Sequence, residues 1–207
     1  SNIVMSVGAA GGLNVVLKTL LDPGDEVVVI TPYFAEYSFY VQNHGGSFVP
    51  VASGPGFSLD PKAIAAALTE KTACVILNSP NNPTGRIYSR EELETVAEVL
   101  RAHGRRVGRL PYIIADEPYR EIVYKGARVP SIMEVYEETI VVYSWSKSLS
   151  LPGERIGYIA LSPRASSPKE VLDGLAFSTR VLGFVNAPAM MQRVVASLLD
   201  EVSDVES

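Results

Sequence analysis

The sequence of 207 residues has one cysteine, one tryptophan and two histidines, and it has no long apolar run. Because Cys74 is the only cysteine, a disulfide within the chain is excluded, and its place in an apolar run predicts a buried thiol. No stretch approaches the roughly 20 apolar residues of a membrane-spanning helix, and the first residues have no signal-peptide pattern. We therefore expect a cytoplasmic protein that has no membrane partner.

Positive charge is not in excess either. The chain has 18 Lys and Arg against 23 Asp and Glu, so its formal net charge is −5. A protein that binds nucleic acid needs a basic face, and the basic residues here are scattered along the sequence, so we expect no nucleic-acid partner. Apolar residues make up 47% of the chain, which is enough for a core on both faces of a sheet.

Both ends of the sequence lie within predicted secondary structure. Ser1 and Asn2 stand directly before an apolar run at residues 3–5, and a helical pattern near the other end has no stop signal. We interpret residues 1–207 as one domain of a longer protein.

Apolar segments without polar alternation follow one another along the chain, and helical patterns separate them. Such strands are typical of a mainly parallel sheet that is covered on both faces. Strands are predicted at residues 3–7, 26–31, 48–51, 72–78, 112–116, 139–145 and 156–161. Helices are predicted from the glycine-rich turn at 8–12 to 21, at 35–43, from 60 onward, and at 89–103, 168–181 and 187–199.

The last two predicted strands are separated by only ten residues, 146–155, which have no helical signal. A parallel crossover needs a dozen residues or more, usually with a helix. We therefore predict that the strand at 156–161 runs antiparallel to the others. The predicted fold is an α/β three-layer sandwich with a mainly parallel sheet and one antiparallel strand.

Polar or glycine-rich clusters follow five of the predicted strands. In open parallel sheets, ligands bind beyond the carboxyl ends of the strands. The five clusters are at residues 6–12, 31–34, 78–85, 116–119 and 144–155. One such cluster is explained by a turn, whereas five predict a shared binding site.

The last cluster contains Ser144, Ser146 and Lys147, and Arg155 follows eight residues later. Hydroxyls and a guanidinium can bind phosphate oxygens, and an amine of lowered pKa can form a Schiff base with a carbonyl group. A solvated loop explains any single lysine more simply, but this spacing favours a site. The stretch resembles the lysine signature of the class I and II aminotransferases, apart from Trp145, which is bulkier than the usual residue.

Asp116 and Tyr119 follow another apolar strand. A carboxylate there can pair with a protonated pyridine nitrogen, and the Tyr119 hydroxyl can donate to a phenolic oxygen of the same ring. Taken alone, the segment fits a metal site or a turn equally well, but no histidine accompanies it, which weakens the metal alternative, so we predict no metal. In the aminotransferases that the sequence resembles, the matching Asp and Tyr have the two roles described.

Residues 78–85 have the form Asn-x-Pro-x-Asn-Pro-Thr-Gly, which is an aminotransferase motif, although its composition alone indicates only a loop. Asn82 matches the asparagine that contacts the phenolic oxygen of the cofactor. Phe34 matches the aromatic residue that stacks on the pyridine ring, where core packing is the alternative. Two nearby tyrosines, Tyr33 and Tyr37, have no assigned role.

The glycine-rich turn at residues 8–12 leads from a strand into a helix, whose N-terminus offers N–H groups to an anion. Tight packing explains such glycines equally well. The turn lies where the family has its phosphate loop, so the amides of Ala9 and Ala10 are candidates for binding phosphate.

The resemblance covers essentially the whole chain and implies the large, cofactor-binding domain of a fold-type I pyridoxal-phosphate enzyme. It implies that Lys147 binds pyridoxal 5'-phosphate as an internal aldimine and moves a proton between the substrate and the cofactor, with Asp116 and Tyr119 as further catalytic residues. The implied substrates are an amino acid and a 2-oxo acid, and the full-length protein is expected to be a homodimer.

In relatives, an N-terminal segment and a C-terminal small domain complete the enzyme, and the small domain supplies the arginine that binds the substrate carboxylate. Both are expected to lie outside residues 1–207, so this fragment alone is expected to be inactive.

Two alternatives remain open. Another pyridoxal-phosphate enzyme, such as a β-lyase, a decarboxylase or a cyclopropane-forming synthase, has the same cofactor residues, because reaction type depends on how the substrate is oriented. The effector-sensing domain of a transcription regulator has the same fold, but it would follow a DNA-binding module, and this sequence contains none.

Overall fold

A computed structural model describes residues 2–124 and 126–198, which form one seven-stranded sheet in the order β1-β7-β6-β5-β4-β2-β3. The strands are β1 Ile3–Ser6, β2 Glu26–Thr31, β3 Ser47–Ala52, β4 Thr72–Asn78, β5 Tyr112–Asp116, β6 Thr139–Ser144 and β7 Gly157–Leu161. The helices are α1 Gly8–Leu20, α2 Tyr37–Asn43, α3 Pro61–Ala67, α4 Arg90–Val107, α5 Ile132–Val135, α6 Trp145–Ser148, α7 Pro168–Val181 and α8 Ala189–Ser197.

The pairing of the strands confirms the predicted fold class. Strands β3, β2, β4, β5 and β6 are mutually parallel, whereas β7 is antiparallel to both of its neighbours, β6 and β1. The sequence predicted no helix between β6 and β7, and this prediction is wrong. The segment contains the single turn of α6 and a 3₁₀ turn, Pro152–Glu154. These turns are too short for a crossover, so the antiparallel direction of β7 follows.

Helices cover the sheet on both faces, and each face has its own apolar core. In β2, Val28 and Ile30 belong to the core beneath α3, α4 and α5. Their neighbours Val27 and Val29 belong to the core beneath α1, α2 and α7. Successive side chains of a strand point to opposite faces, so a strand that is apolar throughout indicates burial on both sides. All seven residues of β4 are buried, including Cys74, as predicted.

The bounds of the helices differ from the prediction at several ends. The Ser89 capping box at the start of α4 is present, but the helix continues past His103 to Val107 and ends at Gly108, which has a left-handed φ of 82°. The predicted end at residue 103 is wrong, because the side chain of His103 is buried in the body of α4. The end of the last predicted helix, at residue 199, lies outside the described residues.

No helix within the two described ranges is long and apolar enough to cross a membrane.

Candidate active site

All ten residues that the sequence predicted for the site line one cavity with a volume of about 210 Å³. The ten are Ala9, Ala10, Phe34, Asn82, Asp116, Tyr119, Ser144, Ser146, Lys147 and Arg155. They come from five separate segments that meet at the carboxyl ends of the parallel strands, where a ligand is expected in an open α/β sheet. The cavity is also lined by Leu13, Asn78, Pro118 and Pro152.

Asp116 is the last residue of β5, and it is buried, with only 5% of its surface exposed. Its Oδ2 accepts a hydrogen bond of 2.5 Å from the hydroxyl of Tyr37, and its Oδ1 has no hydrogen-bond partner among the described residues. Burial raises the pKa of Asp116 to about 7, the Tyr37 hydrogen bond lowers it, and the charge of Glu117 raises it. A cationic group at Oδ1 would favour the ionised form of this carboxylate.

Asn78 ties the loop that follows β4 to the end of β5. Its Nδ2 donates to the carbonyl oxygen of Asp116 at 2.8 Å, and its Oδ1 accepts from the backbone N–H of Asn82 at 2.6 Å. Burial raises the pKa of Tyr119, the nearby charge of Asp116 also raises it, and a hydrogen bond with the Asn82 side chain lowers it. The side chains of Asn82 and Tyr119 both line the cavity.

Lys147 lies in the single turn of α6, which begins directly after β6. Ser144 caps this turn, because its Oγ accepts from the N–H of Ser146 at 3.1 Å, and the two hydroxyls are 2.6 Å apart. The Nζ of Lys147 lies 5.6 Å from the centroid of the Tyr119 ring, within the range of a cation–π contact. The turn thus presents one amine and two hydroxyls to the cavity.

A second cationic group approaches the start of α1. Arg155 precedes β7 with a left-handed φ of 51°, and its guanidinium donates to the carbonyl of Pro152 at 2.7 Å. It lies so close to Gly8, where φ is +68°, that a Cβ there would stand 2.6 Å from the guanidinium nitrogen Nη2. Among residues 2–124 and 126–198, no side chain caps α1, so the first amides of this helix, including those of Ala9 and Ala10, have no side-chain acceptor there.

The two tyrosines without an assigned role, Tyr33 and Tyr37, have different contacts in the structure. Tyr33 packs on Phe48, with ring centroids 4.9 Å apart, and is a partly buried residue packed against the core. Tyr37 contacts Asp116 and also meets Phe34 edge-on, at 5.5 Å and 73°. Sequence reasoning did not identify Tyr37 or Asn78 as site residues, although Asn78 lies within one of the clusters that it selected and Tyr37 lies three residues beyond another. No metal-binding group of three or more His, Cys, Asp or Glu occurs in the part of the chain that the structure describes.

The sequence profile of the family "Aminotransferase class I and II" matches residues 1–207. An aspartate aminotransferase of Geobacillus stearothermophilus is 37% identical over 181 residues, which cover 84% of this chain and 43% of that protein. Among solved structures, an amino transferase from Eubacterium rectale is 39% identical, with a TM-score of 0.96 over 99% of this chain and 52% of the other. An aromatic aminotransferase from Pyrococcus horikoshii is 29% identical, with a TM-score of 0.86 over 100% of this chain and 54% of the other.

The chain spans about half the length of these relatives. Its sequence and its fold lead to the same family. The mainly parallel seven-stranded sheet with its antiparallel strand β7 agrees with that placement. The chain belongs to the class I and II aminotransferases.

Proposed function

We propose that residues 1–207 are the cofactor-binding large domain of a pyridoxal-phosphate-dependent aminotransferase, and that the cavity is its active site. The enzyme would transfer an amino group between an amino acid and a 2-oxo acid, with the cofactor bound covalently through Nζ of Lys147. One observation supports this function above all. Residues from five separate segments line one cavity that has an amine, a guanidinium and hydroxyls in its wall, together with a carboxylate oxygen that has no partner in the described part of the chain.

The residues around the cavity fit the three chemical parts of pyridoxal 5'-phosphate. The guanidinium of Arg155, the hydroxyls of Ser144 and Ser146 and the first amides of α1 would bind the phosphate, because charge-assisted donors and a helix N-terminus both favour an anion. Gly8 allows the arginine to approach that helix end, since a Cβ would fill the space.

At the opposite end of the site, Oδ1 of Asp116 would accept from the protonated pyridine nitrogen. The buried carboxylate has no other partner at this oxygen among the described residues, and a cationic partner would favour its ionised form. Asn82 and Tyr119 would contact the phenolic oxygen of the ring, and Phe34 would pack against the face of the ring. These residues would fix the ring and exclude water from it.

Lys147 would have the central chemical role. When bound, pyridoxal phosphate supplies an electron sink that accommodates negative charge from the α-carbon of the substrate. The Lys147 amine would take the proton from that α-carbon and return one later in the cycle, as a general base and then a general acid. Its position near the ring of Tyr119 keeps the amine at the wall of the cavity.

The relatives contain further segments, among them an N-terminal segment and a small domain. We infer that the corresponding segments of the full-length protein bind the substrate carboxylate and close the site. Two copies of the full-length protein would form a homodimer. Residues 1–207 alone would bind the cofactor without sustaining turnover, because orientation of the substrate can account for about 7–11 kcal/mol of catalysis.

The test is an amino-transfer assay with the full-length protein and pyridoxal phosphate. A panel of amino acids that includes aspartate and aromatic amino acids is incubated with 2-oxoglutarate, and both products are measured by mass spectrometry. We expect one 2-oxo acid to form for each glutamate, and Lys147→Ala to abolish the reaction. The control is Lys169→Ala, which removes an exposed lysine paired with Asp173 and should leave activity unchanged.

Release of ammonia, carbon dioxide or an unsaturated product without formation of glutamate would contradict amino transfer. That result would favour a lyase or a decarboxylase that uses the same cofactor residues.

A further inference from the structure

Tyr37 contacts two of the proposed cofactor residues from one position. It is the first residue of α2 and is only 1% exposed. Its hydroxyl donates to Oδ2 of Asp116 at 2.5 Å, while its ring meets the ring of Phe34 edge-on, with centroids 5.5 Å apart. Asp116 ends β5 and Phe34 follows β2, so Tyr37 connects two strand ends that are not neighbours in the sheet.

The hydrogen bond from Tyr37 distinguishes the two oxygens of the Asp116 carboxylate. Oδ2 is occupied by the tyrosine hydroxyl, and Oδ1 has no partner within the described residues. The backbone of Asp116 is held as well, since its carbonyl oxygen accepts from Asn78 at 2.8 Å. The carboxylate is therefore fixed on one side and open to a ligand on the other.

We propose that Tyr37 is a positioning residue of the active site, which keeps Oδ1 of Asp116 directed at the pyridine nitrogen and holds Phe34 against the same ring. This inference rests on the proposed function and deepens it. Tyr37 acts through Asp116 and Phe34 and has no contact of its own with the reacting atoms. A phenylalanine at position 37 would keep the packing with Phe34 and lose the hold on Asp116.

The electrostatics of the pair agree with this role. A hydroxyl that donates to a carboxylate favours its ionised form, so Tyr37 lowers the pKa of Asp116 while burial raises it. Burial and the charge of Asp116 hold the pKa of Tyr37 well above its usual range, so the hydroxyl keeps its proton and remains a donor at neutral pH.

The other titratable groups near this pair are Tyr40 on α2, Tyr88, Glu117 and Tyr119, together with Lys147 across the cavity. Glu117 forms an ion pair of 2.8 Å with Arg120. None of these groups donates a hydrogen bond to the Asp116 carboxylate in the described structure, so Tyr37 alone is expected to exert that effect.

The first experiment follows the ¹³C chemical shift of the Asp116 carboxyl carbon against pH in the purified protein without cofactor. Asp116→Asn assigns the signal. In Tyr37→Phe we expect the pKa of Asp116 to rise, corresponding to a roughly tenfold higher affinity for the proton, because one charge-assisted hydrogen bond is lost. The matched control is Tyr40→Phe, which removes a hydroxyl from the same helix, and the titration of Asp116 should be unchanged.

The second experiment measures the affinity for pyridoxal phosphate in a double-mutant cycle. Tyr37→Phe should weaken binding about tenfold when Asp116 is present and have little effect in the Asp116→Asn background, because the two residues act as a unit. Thermal unfolding of each variant, with Tyr40→Phe as reference, verifies that it is folded. If Tyr37→Phe does not fold, Tyr37→His, which retains a donor at that position, replaces it and should keep affinity within about threefold of the wild type.

An unchanged or lowered pKa of Asp116 in Tyr37→Phe, or equal losses of affinity in both backgrounds, would overturn the positioning role. Failure of the proposed function has a different signature. In that case, the wild-type protein would bind no pyridoxal phosphate, while the titration of Asp116 in the absence of cofactor would still respond to Tyr37.

Discussion

Replacement of Asp116 by asparagine should stabilise the protein when no cofactor is present. The carboxylate is buried, and one of its oxygens has no hydrogen-bond partner among the described residues. Asparagine has nearly the same shape, carries no charge and can still accept the hydrogen bond from Tyr37. The substitution therefore removes the cost of burying a charge and keeps the packing.

The size of the effect follows from the pKa of Asp116. Burial raises this pKa from the ordinary value of 3.8 to about 7 in the folded protein. The folded state thus binds the proton more tightly than the unfolded state, and stability is lost as pH rises from about 4 to about 7. At about 1.4 kcal/mol for each pKa unit, the full cost above pH 7 is about 4 kcal/mol. The asparagine variant does not incur this cost.

The assay is urea-induced unfolding of the wild type and Asp116→Asn at pH 5 and pH 8. We expect the variant's advantage in the free energy of unfolding to grow by about 2–3 kcal/mol between these pH values. The control is Asp173→Asn, which removes the same charge from an exposed residue of α7 and should show no such growth. A variant that is less stable than the wild type at pH 8, or an advantage independent of pH, would refute the reasoning.

Two further substitutions test the arginine and the tight strand contact. Arg155→Ala should weaken binding of pyridoxal phosphate by about 10- to 100-fold, because charge-assisted hydrogen bonds to the phosphate are lost. Binding of pyridoxal, which has no phosphate, should change little. Equal losses for both ligands would contradict a phosphate-binding role. Gly157→Ala should lower the free energy of unfolding by about 1–3 kcal/mol, since its Cβ would lie 2.3 Å from the carbonyl oxygen of Tyr143. The same change at Gly153, where an added Cβ would have open space around it, should be nearly neutral in the same denaturation assay.

Most of the fold could be predicted because strand periodicity and connection length are local properties of the sequence. The direction of β7 followed from a connection of ten residues, which no parallel crossover fits. The predicted end of α4 was wrong for a tertiary reason. His103 and Gly104 resemble a stop signal, but Leu110 packs on Gly104 so closely that a Cβ there would lie 2.3 Å from Leu110 Cδ2. The contact between Leu110 and Gly104 thus outweighs the low helix propensity of glycine.

The site was predictable as far as its residues occur in recognisable motifs at strand ends. All of those residues line the cavity. The role of Tyr37 could not be predicted in this way, because it depends on one hydrogen bond to a residue 79 positions away. A tyrosine at the start of a helix has no local feature that separates a buried donor from an ordinary core residue.

The most direct test of the proposed active site is the identity of the lysine that binds the cofactor. The purified protein is incubated with pyridoxal phosphate, reduced with borohydride, digested and mapped by peptide mass spectrometry. We predict one phosphopyridoxyl group for each chain, on Lys147, and none on the exposed Lys169. Labels spread evenly over the surface lysines, or the same labelling after Lys147→Arg, would contradict the assignment of the cavity as a pyridoxal-phosphate site.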